Sequence, residues 1–220
     1  MLLRDLAYKR FKKKLFTNQL VPGQFVSQRE LSELLEVPLG PMREAVHRLE
    51  AAGLMRIIAQ RGLQILEPTP LMVSEAYELR IILELSAIRR IPAFRLDGNL
   101  AEIETRTKDM VARLADPLDV ETISDVMEVD WQLHDFLIES MNNQTISQVY
   151  RSNADKIRLA RFRQKFSAEQ LRQAMAEHVL VIEALQQGDP AMAAEHLENH
   201  LRTSLERGLG ITSLFAKKLV

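Results

Sequence analysis

The chain reads as mostly α, with an N-terminal winged helix-turn-helix followed by an all-α antiparallel helical bundle. Three observations predict this. Helical periodicity runs through almost all of the 220 residues. The one strand-like stretch, 54–66, is short and centred on Ala59-Gln60-Arg61-Gly62. Pro68-Thr69-Pro70 then disfavours helix before each proline and favours an extended connection. The expected domains are residues 1–67, a linker at 68–70, and a helical domain at 71–220.

The first helix is expected over 3–17, with Leu3, Leu6, Ala7, Phe11 and Leu15 on one face and Lys9, Arg10, Lys12, Lys13 and Lys14 largely elsewhere. Pro22-Gly23 marks a turn. Ser27 followed by Glu30 forms a capping box for a helix over 28–36. Pro38-Leu39-Gly40-Pro41 breaks the chain, and a third helix is expected from Pro41 to Ala52, stopped by Gly53. Strands at 54–58 and 63–66 then flank a basic tip. Beyond the linker, helices are expected over 70–95, 99–115, 119–141, 144–165, 168–187 and 190–207. The breaks between them are Asp97-Gly98-Asn99, Asp116-Pro117, Asn142-Asn143, Ser167 and Gly188-Asp189-Pro190.

Composition narrows the function. Apolar residues make up 46% and charged residues 27%, as in an ordinary globular protein. No run of eighteen apolar residues and no signal-peptide pattern is present, so a cytoplasmic protein without membrane spans is expected. With no cysteine, disulfides, thiolate metal sites and cysteine nucleophiles are excluded. The net charge of −1 hides an asymmetry: residues 1–68 carry eleven Lys/Arg against seven Asp/Glu, and the remainder eighteen against twenty-three. A basic first third suits a polyanionic partner.

Three helices and a basic-tipped hairpin in this order suit duplex DNA. The later helix can enter a major groove, where the side chains of its first turns meet base edges, and the hairpin tip can bring Arg61 to a minor groove or a phosphate, with Gly62 allowing close approach. Pro22-Gly23, Arg29-Glu30-Leu31, Pro41-x-Arg43-Glu44-Ala45, Leu49-Glu50, Gly53-Leu54 and Arg61-Gly62 together resemble the winged-helix domain of the GntR superfamily of bacterial transcription regulators. The resemblance implies operator DNA as partner, with Arg29, Arg43, His47, Arg61 and Gly62 at the interface. Pro38-Leu39-Gly40 departs from the Ser-Arg-Thr-type stretch usual there, and His47 stands where arginine is frequent, which implies a different target sequence.

In the helical domain, Asp130 and His134 interrupt the apolar stripe Ile123, Val126, Leu133, Leu137 and Met141, four residues apart and on one side. His178 fills the gap in the stripe Leu171, Met175, Ile182 and Leu185. His200 shares a face with Ala193, Leu197 and Ser204. His178 lies ten residues before Gly188 and His200 ten after Pro190, so an antiparallel hairpin brings them level, each about 15 Å from the turn. One carboxylate and three imidazoles suit a divalent cation: Zn, Ni, Mn, Co or Fe. A lone histidine in such a stripe is more often a satisfied core residue; four level polar interruptions are harder to place in that way. His196, one turn before His200, is expected off this face.

Asp130-x-x-x-His134, Glu177-His178, Gly188-Asp189 and His200-Leu201 resemble the FCD effector domain of the FadR branch of the same superfamily. The resemblance implies a metal on Asp130, His134, His178 and His200 and a small carboxylate or hydroxy-acid effector. Arg80 and Glu84 interrupt the stripe Val73, Ala76, Ala87 and Ile91; they form either a structural ion pair or, through Arg80, a grip on a carboxylate. Asn143, Arg158 and Arg161 complete the effector candidates. The overall expectation is a ligand-responsive homodimeric transcription regulator, most often a repressor, and not an enzyme. The rivals are a metal-dependent hydrolase or oxygenase on the bundle, which His134-Asp135 supports weakly because no upstream histidine shares that domain, and a binding module without DNA activity.

Overall fold

The computed structural model describes residues 3–16, 19–91, 99–115, 117–161 and 166–209. In chain order the elements are α1 (Leu3–Phe16), β1 (Phe25–Val26), α2 (Gln28–Leu35), α3 (Leu39–Ala51), β2 (Met55–Ile58), β3 (Gly62–Ile65), α4 (Pro70–Ile88), α5 (Asn99–Arg113), α6 (Val120–Ser140), α7 (Gln144–Arg161), α8 (Ala168–Gln186) and α9 (Pro190–Gly208). The expected helix ends at Thr17 and at 162–165, residues 92–95, and the breaks at Asp97, Gly98 and Asp116 lie outside the described residues.

The chain divides into two compact units, Met1–Ala76 with Ser152–Arg163, and Tyr77–Arg151 with Gln164–Val220. The second half of α7 therefore belongs to the first unit, although it follows the proline linker by some eighty residues. In that unit α1, α2 and α3 close on a core built from Phe11 and Leu15, Leu31 and Leu35, Met42 and Leu49, Leu63 and Ile65, with Leu159 of α7 among them.

Local chemistry sets the first unit's elements. Ser27 accepts from the Glu30 amide and Glu30 reaches back to the Ser27 amide, completing the capping box of α2. Helix α3 starts at Leu39, two residues before the expected Pro41, and Pro41 lies in its first turn. Nothing is lost there, because the first four N–H groups of a helix have no intrahelical acceptor. A third strand, β1, pairs antiparallel with β3 (Phe25 opposite Gln64, Val26 opposite Leu63), giving the order β1-β3-β2. Gly62 has φ +94°, and a Cβ there would lie 2.9 Å from the Val26 carbonyl oxygen. Its glycine is explained by this close strand approach.

In the second unit α8 packs against α9 and α5, and α6 against α5 and α8. Gly188, at φ +74°, turns the chain between α8 and α9, and Asp189 caps α9 by accepting from the amides of Ala191 and Met192. Helix α4 ends at Ile88, short of the expected 95; Arg89 and Arg90 form a turn. Among the described residues, no helix is long and apolar enough to cross a membrane.

Candidate metal centre and DNA-reading face

The second unit brings together the four side chains expected to share a point. Asp130 and His134 come from α6, His178 from α8 and His200 from α9; all are buried, and one ligand atom from each lies within 4.8 Å of the others. His178 Nε2 is 3.0 Å from His200 Nε2 and 3.9 Å from Asp130 Oδ1. His134 packs its ring against both, with centroids 4.8 Å from His178 and 5.5 Å from His200. His134 Nε2 has no hydrogen-bond partner among the described residues. A buried imidazole nitrogen left without a partner costs free energy, and a cation between these donors would satisfy it. His196 is half-buried and is not among the four.

Carboxylates back two of the imidazoles. His134 Nδ1 donates to Glu84 Oε2 at 2.7 Å, and His200 Nδ1 donates to Glu177 Oε2 at 2.8 Å. Arg207 Nη2 lies 3.6 Å from the other Glu177 oxygen. Burial pushes the His178 imidazole down to about 3, helped by His200 and opposed by Asp130. Burial, then the Arg80 charge and the nearness of the His178 imidazole, hold His134 well below the ordinary imidazole range. Both rings are therefore neutral at physiological pH, the state in which imidazole binds a metal.

Arg80 is fully buried on α4. Its Nε donates to Glu84 Oε1 at 2.7 Å, and its guanidinium lies 4.5 Å from the Trp131 ring centroid. Burial works against its charge, but the Glu84 carboxylate, with Tyr150, Tyr77 and Asp130, outweighs that and holds its pKa above the ordinary value. Nη1 and Nη2 have no partner among the described residues. The remaining effector candidates stand elsewhere. Asn143 is exposed and caps α7, its Oδ1 accepting from the amides of Thr145 and Ile146 at 3.1 Å each. Arg158 and Arg161 fall in the first unit, and Arg158 Nη1 lies 3.4 Å from Asp155 Oδ1.

In the first unit, Arg43 and His47 are exposed one turn apart on α3, and Arg61 is exposed at the hairpin tip beside the Phe25 ring, 5.7 Å from its centroid. Arg29 is exposed on α2 and pairs with Glu33 at 3.1 Å. A concavity that includes His47 is also lined by Arg4, Glu44 and Arg48. Sequence reasoning missed Arg48, which bonds Asp5 and covers the Tyr8 ring at 4.4 Å. It also missed Trp131 and Tyr150 beside Arg80 and Glu84; the signal available was an aromatic residue next to, or in helical register with, a buried charge.

A helix-turn-helix with a wing, joined to a helical domain with a buried Asp/His cluster, is the architecture of a bacterial transcription regulator. Residues 3–65 match the bacterial regulatory proteins of the gntR family, and residues 75–203 match the FCD domain. The chain belongs to the GntR family, in the group carrying an FCD domain, and is a transcription regulator, not an enzyme. It is similar to the Nta operon transcriptional regulator of Aminobacter aminovorans, 26% identical over 202 residues that cover 89% of this chain and 92% of that protein. A GntR transcriptional regulator from Rhodococcus sp. RHA1 shares the fold at a TM-score of 0.78 and 20% identity, covering 95% of this chain and 98% of the other. The Zn2+-bound FCD domain of the regulator TM0439 matches at a TM-score of 0.53 and 24% identity, over 64% of this chain and 94% of that one.

Proposed function

We propose that the protein is a cytoplasmic, homodimeric operator-binding regulator, a repressor, whose DNA affinity is set by a small organic acid bound beside a divalent metal. The observation that carries this is the pairing of two unmet demands in one buried place: among the described residues, four ligand atoms lie within 4.8 Å of one another and His134 Nε2 has no hydrogen-bond partner, and neither has Arg80 Nη1 or Nη2.

Asp130, His134, His178 and His200 would hold the cation, and Zn, Ni, Mn, Co and Fe all accept such a nitrogen and oxygen set. The Zn2+-bound FCD domain of TM0439 supports zinc first. Bound there, the cation supplies a Lewis-acidic anchor for an acid's carboxylate. The chain's own contribution is to exclude water and to offer Arg80, whose fork matches a carboxylate in bidentate geometry. An anion also relieves the cost of a buried guanidinium with unmet donors.

On DNA, α3 enters the major groove with Arg43 and His47 toward the bases, Arg29 serves the backbone, and Arg61 follows at the wing. One such unit reads few base pairs, and a two-fold dimer doubles the readout on a pseudo-palindromic site. Helix α4 supports the dimer: Ile82 is 58% exposed, with Leu79 and Leu83 half-buried on the same side of the helix, apolar surface that a second copy would cover.

The test combines elemental analysis with calorimetry. Close to one equivalent of metal per chain is expected, lost on chelation, and a small hydroxy or dicarboxylic acid should bind only the loaded protein. Acid binding that persists unchanged after metal removal overturns the mechanism. Arg43→Ala should weaken specific operator binding by about 1–3 kcal/mol if it makes a bidentate base contact; unchanged affinity in a gel-shift titration removes Arg43 from the interface.

A further inference from the structure

Glu84 is completely buried on α4, four residues after Arg80. Its two oxygens receive three donors. Oε1 accepts from Arg80 Nε at 2.7 Å and from the Tyr150 hydroxyl at 3.0 Å, and Oε2 accepts from His134 Nδ1 at 2.7 Å. A carboxylate has about four lone-pair sites. With three engaged and no water access, Glu84 is committed to these partners. It is also absent from the set whose ligand atoms converge.

The consequence falls on His134. With Nδ1 donating to Glu84, the lone pair of the neutral ring sits on Nε2, which has no hydrogen-bond partner among the described residues. Without the carboxylate the single proton is free to occupy Nε2, where it would block ligation, and the ring is free to turn. Arg80 and Tyr150 in turn fix the carboxylate from its other oxygen. At His200 the backing carboxylate, Glu177, is only partly buried.

We propose that Glu84, held by Arg80 and Tyr150, is the positioning residue for the metal ligand His134: it sets the ring's tautomer and orientation, and so sets metal affinity without touching the metal. The proposal rests on the metal reading above.

The test uses cobalt(II) as probe on the full-length, chelator-stripped protein. The parent should take up one cobalt per chain, followed by its visible absorption and by competition with a chelator of known affinity. Glu84→Gln keeps the volume and removes the charge; its cobalt affinity should fall about 10–100-fold with an altered absorption envelope. A second measurement needs no variant. Long-range 1H–15N spectra of the metal-free parent, with His134 identified by its loss in His134→Ala, should show the proton on Nδ1. That measurement decides the matter if Glu84→Gln does not fold. Cobalt affinity in Glu84→Gln equal to the parent's, or a His134 proton on Nε2, overturns the proposal while leaving the metal reading intact. A parent that takes up no cobalt overturns the metal reading, and the proposal falls with it.

Discussion

Two histidines held neutral by burial give the molecule an acid sensitivity whose direction follows from their pKa values. In the unfolded chain His178 titrates near 6.5, and in the fold it is pushed down to about 3; His134 moves the same way. The unfolded state therefore binds more protons below 6.5, and stability rises with pH there. The contribution is present above 6.5 and is lost progressively as pH falls toward 3. Urea unfolding of the chelated protein should show a lower midpoint at pH 5 than at pH 7.5, and a midpoint independent of pH across that window would contradict neutral buried imidazoles. Gly62 makes a second residue-level case. Its φ is +94°, and a methyl group there would sit 2.9 Å from the Val26 oxygen. Gly62→Ala should therefore cost more than about 1 kcal/mol, read as a drop in urea midpoint. The four converging side chains were legible in the sequence because i,i+4 spacing and equal distances from a turn are geometric facts about helices. The role of Glu84 was not, because an Arg–Glu pair four apart looks the same whether it faces a ligand or backs a histidine.

At the level of elements, period and punctuation predicted the stretches that form α1 to α9 and the β2–β3 hairpin. Strand β1 escaped, since two residues carry no period; it exists because β3 offers it an edge. The division of α7 was equally hidden. A single helix over Gln144–Arg161 shows nothing local to say that its second half serves the N-terminal unit. There Asn153 Nδ2 donates to the Ala76 carbonyl at 2.7 Å, Asp155 accepts from the Tyr8 hydroxyl and from Lys12 Nζ, the latter at 2.9 Å, and Leu159 is 1% exposed in the core of α1, α2 and α3. Leu159→Ala should therefore destabilise the winged-helix unit by about 2–5 kcal/mol, the usual cost of truncating a buried leucine. Operator binding should then fail at a lower urea concentration than in the parent. If the DNA-binding activity of Leu159→Ala resists urea as well as the parent's, the core of that unit closes without α7.

For the whole molecule, the two units carry different chemistry, and heat should separate them. Asp130, His134, His178 and His200 all lie in the unit formed by Tyr77–Arg151 and Gln164–Val220. Among the described residues, this is the group with the donors and proximity to hold a cation. A ligand that binds the folded state alone stabilises it by about 2.7 kcal/mol at a hundredfold excess over Kd. Zinc should therefore raise the unfolding temperature of the helical unit and leave that of the winged-helix unit in place. Near-ultraviolet signals report the first, since the Trp131 ring lies edge-on to His134 at 5.9 Å between centroids and beside Arg80; loss of operator binding reports the second. Zinc that raises both temperatures equally would mean the units unfold as one cooperative body, each stabilised through the other. Zinc that moves neither would mean that the buried imidazoles and Asp130 hold no cation, and that their neutral state serves packing alone.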